Sequence, residues 1–85
     1  MYSTGQVVYS KSGRDKAMPF IVVGVEEDYV YLADGKLRKL DKPKKKKKMH
    51  VQLCNDIIYD VKQKLDENLY LNDADLRKAL KPYRH

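Results

Sequence analysis

The sequence predicts a mainly β protein: a small, five-stranded, strongly bent barrel with a C-terminal two-helix extension packed on its outside. Three observations predict it. Residues 1–53 read as short β-branched and aromatic runs separated by turns. From Cys54 the apolar residues recur at helical spacing instead. The run Phe20-Ile21-Val22-Val23 is apolar on both faces of a period-two strand, so it needs cover on both sides, and the helices are the available cover.

The elements follow in order. GQVVYSK, residues 5–11, is a strand ending at SGRDK, where Gly13 takes a positive φ that other residues reach only at a cost. PFIVVGV, residues 19–25, is a second strand, and Gly24 within it marks a bulge or sharp bend. EED turns the chain into YVYLA, residues 29–33, where Tyr29, Tyr31 and Ala33 alternate with Val30 and Leu32. Asp34-Gly35 is a strong hairpin signal before KLRKL, and HVQL, residues 50–53, is a short last strand. In NDIIYDVKQKLDENL, Ile57, Ile58, Val61, Leu65 and Leu69 recur at helical spacing, which predicts a helix over about residues 55–67 with Asn55 as N-cap and Asp56 near the positive end of the helix dipole. Asn72 caps a second helix over about residues 73–81, Asp75 stands in a capping-box position, and Pro82 stops it. The domain reading is a barrel over residues 1–53 with a basic loop at 36–48, and a helical hairpin over 54–85.

Eighty-five residues fit one small domain with a thin core and little room for a deep, water-excluding cleft. The sequence holds no Gly-rich phosphate loop with its lysine, no metal-ligand cluster and no nucleophile beside a base. It therefore predicts no enzyme, no catalytic residue, no metal and no cofactor. Cys54 is the single cysteine, so no intramolecular disulfide forms, and it reads as a small residue at the helix entry. His50 reads as a surface strand residue. No stretch resembles a signal peptide or a membrane span, and the expected setting is a monomer in the cytoplasm with no membrane contact.

Charge is the most informative property. The net charge is +6, with twelve Lys/Arg and six Asp/Glu in residues 1–53 against six of each in residues 54–85. The excess concentrates in residues 36–48, where Lys36, Arg38, Lys39, Lys42, Lys44, Lys45, Lys46, Lys47 and Lys48 face one acid, Asp41. A polyanion is the expected partner.

Taken together, GQVVYSKSGRDK, an apolar strand, and DYVYLADGKLRKLDKPKKKKKMHVQL resemble the KOW-domain RNA-binding proteins. The small bacterial members similar to the archaeal and eukaryotic large-subunit ribosomal family called "L fourteen e" are the nearest in character. The resemblance covers about residues 5–53 and rests on Ser12-Gly13-Arg14-Asp15-Lys16, Asp34-Gly35 and the Arg38-Lys39 pair; residues 54–85 match the helical extension of the bacterial members more loosely. It implies an SH3-like (KOW) barrel whose first loop and basic loops touch RNA, with ribosomal RNA of the large subunit as partner and ribosomal proteins as further neighbours. One position departs: the family usually has a second glycine where this chain has Ala17, which predicts a slightly different path after Lys16.

Two segments and two side chains are the candidate contacts. Around Gly13, backbone N–H groups of the Ser12–Lys16 loop and the cations Lys11, Arg14 and Lys16 suit a phosphate, although a plain polar turn has the same composition. Residues 36–48, stiffened by Pro43, form a loop that follows a phosphate backbone, mobile when free and ordered when bound; a solvated loop or an import-like basic run has the same composition. Tyr29 and Tyr31 stack on bases if their face is open, and otherwise pack under the helices or on cross-strand neighbours. Two other readings remain open at this point. One is a duplex-DNA architectural protein, for which Met18 is the obvious wedge; the other is a protein-docking module of the transcription or translation machinery.

Overall fold

Alternation of apolar residues along the strands decides how the chain folds. The computed structural model describes residues 1–11, 13 and 16–84. Strands β1 (Gln6–Ser10), β2 (Pro19–Val25), β3 (Tyr29–Ala33), β4 (Lys44–Lys47) and β5 (Val51–Ile57) form one antiparallel sheet in the order β4-β3-β2-β1-β5. A 3₁₀ turn, Lys48–His50, joins β4 to β5, and helices α1 (Tyr59–Asp66) and α2 (Asp73–Leu80) follow, with a last 3₁₀ turn at Lys81–Tyr83.

Val7, Ile21 and Ala33 lie on one sheet face and pack against Val61 of α1 and Leu76 and Leu80 of α2. Val8, Phe20, Val22, Val30, Leu32 and Val51 form a second cluster on the other face. No helix residue belongs to that cluster, yet Val8 and Val30 are 0 % exposed. The sheet must therefore curl over its own face. The Lys46 ammonium of β4 confirms this, because it donates to Ser10 Oγ of β1 at 2.6 Å. In a flat sheet those strands, three spacings apart, would be about 14 Å from each other. Register shifts between Val22 and Gly24 and between Gln6 and Val8 mark where the sheet bends, as the glycine in β2 leads one to expect. The two-sided burial of Phe20–Val23 thus comes from helices on one face and the curled sheet on the other.

The second helix starts as expected. Asn72 Oδ1 accepts the Asp75 N–H at 2.9 Å, and Asp75 Oδ2 accepts the Asn72 N–H at 3.1 Å, completing a capping box. The first helix does not begin at residue 55. Strand β5 continues to Ile57, the N-cap is Ile58 without a side-chain bond, and α1 spans Tyr59–Asp66. Asn55 is thus a strand residue rather than a cap, and Cys54 lies within β5, half-buried against the helix-side core. The reason is the free edge of β1. Ile57 pairs with Gln6, and the Ile58 N–H donates to Gly5 O at 2.9 Å, so each added residue gains a ladder bond while a new helical turn must first be nucleated.

Side-chain bonds to two carboxylates help fasten the C-terminal part. Asp66 accepts from Thr4 Oγ1 at 2.6 Å and from Lys62 Nζ at 2.7 Å, and the Lys62 hydrogen bond, followed by that of Thr4, lowers its carboxyl pKa. Tyr83 OH donates to Asp56 Oδ2 of β5 at 2.7 Å, and this bond to the carboxylate, with burial second, pushes the phenol from its ordinary 10.0 up to about 12. The folded state therefore holds a proton that the unfolded chain releases near pH 10. The contribution is fully present below about pH 10 and is lost as the pH rises through about 12. Urea midpoints measured from pH 9 upward should fall more steeply for the wild type than for Tyr83→Phe, in which this alkaline component is missing.

Candidate nucleic-acid interface

The lysine run is a strand in the chain by itself, not the mobile loop expected from its charge. Lys44–Lys47 form the edge strand β4, paired with β3 in the register Lys44↔Leu32, Lys45↔Tyr31, Lys46↔Val30 and Lys47↔Tyr29. Two physical reasons make this possible. Successive side chains of a strand point to opposite faces, so like charges on one face are about 6.8 Å apart along the strand. Lysine is also well suited to an edge, where its charge discourages pairing with another chain.

The two faces of β4 use their lysines differently. Lys45 and Lys47 share a face with Tyr31 and Tyr29. The helices cover Ala33 at the end of β3 but stop short of these two rings, which are half-buried; Tyr31 lies against the backbone of Gly24. The Lys45 ammonium stands 4.5 Å from the Tyr29 centroid, 5.9 Å from that of Tyr31 and 3.5 Å from Glu26 Oε1. Glu26, ahead of Tyr31, raises its pKa and keeps it a cation. Lys44 and Lys47 are exposed and have no carboxylate within ion-pair distance among the described residues. Lys46, on the concave face, reaches Ser10. Lys48 donates to Glu27 O at 2.6 Å and lies 5.7 Å from the Tyr2 ring centroid.

The loop between β1 and β2 comes to the same place. Gly13 has φ 81°, and a Cβ built on it would have the Lys46 ammonium 3.9 Å away. Lys11 and Lys16 are exposed, and the Lys11 N–H donates to His50 O at 2.8 Å. Ser12 and Arg14 of the predicted phosphate loop lie outside the described residues. Ala17 takes φ 67°, so the chain keeps a glycine-type backbone at the position where the residue differs from the expected glycine.

The first half of the basic segment is a loop, as expected, but one docked on α2. Asp34, 1 % exposed, accepts the Lys36 and Arg38 N–H groups at 2.9 and 2.8 Å through Oδ1, and Arg84 stands 3.8 Å from its Oδ2. Asp73 Oδ1 accepts the Leu40 N–H at 2.8 Å, and Arg77 Nη1 donates to Gly35 O at 2.6 Å. Lys36, Lys39 and Lys42 are left exposed, while Arg38 is half-buried.

This docking brings in cations from outside residues 36–48. Arg77, Lys78, Lys81 and Arg84 line, with Ala74 and Asp75, a depression beside the loop. Their signal is in the sequence, hidden only by the overall charge balance of residues 54–85. The neutral tail divides into residues 54–76, with two bases and six acids, and residues 77–85, with four bases and no acid. Among the described residues no group of three or more His, Cys, Asp or Glu side chains could hold a metal ion, and no helix is long and apolar enough to cross a membrane. In comparisons with known proteins, no family model matches the chain and no curated protein is significantly similar to it.

Proposed function

We propose that the chain is a non-enzymatic RNA-binding protein of the SH3-like, KOW type, ribosomal or ribosome-associated, that grips ribosomal RNA by its phosphates. The observation that carries the reading is β4: an edge strand of four lysines, with Tyr29 and Tyr31 beside Lys45 and the β1–β2 loop beside Lys46. Cations beside partly open aromatic rings serve phosphates and bases at once, which is how single-stranded nucleic acid is commonly held. The docked loop with Lys36, Lys39 and Lys42, and the adjacent Lys78 and Lys81, extends the cationic surface beyond the strand. The SH3-like assignment draws on the curled five-stranded antiparallel sheet.

Six to eight phosphate contacts give a slope of about −4 to −7 for log K against log salt. Co-sedimentation with ribosomes and isolated large subunits across a salt series tests the reading. The protein should travel with the large subunit at low salt and leave it with that steepness. Absence from ribosomal fractions at low salt removes the ribosomal assignment. Tighter binding to plain duplex DNA than to folded RNA at equal salt removes the RNA assignment.

A further inference from the structure

We propose that the depression between the β2–β3 turn and the 3₁₀ turn after β4 is a reading pocket for one guanine in a single-stranded RNA segment, with Asp28 as the specificity-determining residue. The proposal rests on the RNA-binding reading and adds base recognition to it. The depression, a cavity of ≈ 460 Å³, is lined by Asp28, Tyr29, Lys47, Lys48 and Met49. That is within the roughly 300–1,000 Å³ of ordinary ligand pockets.

Three features of this spot are unexplained by packing. Met49 is 69 % exposed, although a methionine gains nothing from facing water. Tyr29 has the Lys45 ammonium over its ring and still contributes a wall to the cavity. Asp28 is an exposed carboxylate beside a strand of lysines, and it has no hydrogen bond or ion pair through its side chain among the described residues. On a surface that met phosphates alone, that carboxylate would repel the ligand.

A guanine accounts for all three. Its flat ring fits against Tyr29 and the Met49 thioether, and its N1–H and N2–H donate in parallel to the two carboxylate oxygens of Asp28. Adenine, cytosine and uracil present no such adjacent pair of donors on their Watson–Crick edges. Lys47, exposed and lining the cavity, meets a flanking phosphate. The walls are tied to one another before any ligand arrives: the Lys48 N–H donates to Asp28 O at 3.0 Å, Lys48 Nζ to Glu27 O at 2.6 Å, and the Glu26 N–H to Tyr29 O at 2.9 Å.

Fluorescence anisotropy tests this with labelled uridine heptamers carrying G, A, C or U at the centre, with GMP as competitor, and with folded ribosomal RNA, all at one near-physiological salt. The wild type should bind the G heptamer about tenfold more tightly than the other three, as one bidentate base contact allows. Asp28→Asn should abolish the preference, weakening the G heptamer relative to the other three, while the loss of one repelling charge tightens the all-U heptamer by up to about fivefold and the thermal melt stays in place. Equal binding of the four heptamers alongside retained binding of folded RNA overturns the pocket and leaves the RNA-binding reading standing. So does an Asp28→Asn protein that still prefers G. GMP that binds as tightly as the G heptamer overturns the assignment to an RNA segment. Failure to bind any RNA overturns the functional reading and the pocket with it.

Discussion

Replacing Lys44, Lys45 and Lys47 together with glutamine should weaken RNA binding about 100-fold at 0.1 M monovalent salt, flatten the salt slope by about 2, and leave the fold intact. Each phosphate contact with a single strand adds about 0.7 to the slope, so three contacts add about 2, and at about 0.1 M salt that corresponds to two decades of affinity. The fold should survive because these side chains project from an edge strand and contribute to neither buried cluster. Glutamine keeps the first two methylenes of the stem and leaves the edge polar, limiting the risk of strand pairing between molecules. Lys46 and Lys48 are left in place because their ammonium groups hold the protein together through Ser10 and Glu27. Anisotropy over a salt series gives affinity and slope from the same titration, and circular dichroism checks the sheet. A variant that binds as the wild type does would remove β4 from the interface.

Gly35→Ala should destabilise the protein by about 2–5 kcal/mol, whereas Gly13→Ala costs about 1–2 kcal/mol, although the two glycines have nearly the same backbone. Gly35 has φ 79° and Gly13 φ 81°, so either alanine meets the left-handed penalty of about 1–2 kcal/mol. The surroundings differ. A Cβ on Gly13 has only the Lys46 ammonium at 3.9 Å, while one on Gly35 runs into the backbone carbonyl of Asp73. Asp73 opens α2 and its side chain holds Leu40, so it cannot yield alone. Moving α2 away would strain the Arg77-to-Gly35 and Leu40-to-Asp73 bonds, each worth about 0.5–1.5 kcal/mol. Urea denaturation of the two variants side by side measures the difference. Equal destabilisation would mean that the basic loop is not braced by α2.

Much of the fold was legible because it depends on local rules. The alternation in Tyr29–Ala33, the glycine within β2, the turn at residues 26–28 and the capping box at Asn72 each depend on residues a few positions apart, and each occurs where the sequence suggested. The candidate interface was legible as composition and much less so as geometry. The cations of residues 36–48 were evident, but nothing nearby in sequence showed that they divide between a docked loop and a strand, or that Lys78 and Lys81 join them. Pooling the charges of residues 54–85 concealed the basic end of that segment.

The sequence by itself determined the first three strands, the turn at residues 26–28, the second helix and the sign of the surface charge, since these follow from periodicity, caps and counts. The tertiary structure alone decided the two segments whose local preferences were divided or opposed. Lys44–Lys47 and Cys54–Ile57 become strand because β3 and β1 present open edges to them, and a row of backbone hydrogen bonds at a waiting edge outweighs moderate charge repulsion and the start of a helical stripe. An edge is built from residues distant in the chain, so no window along the sequence contains it.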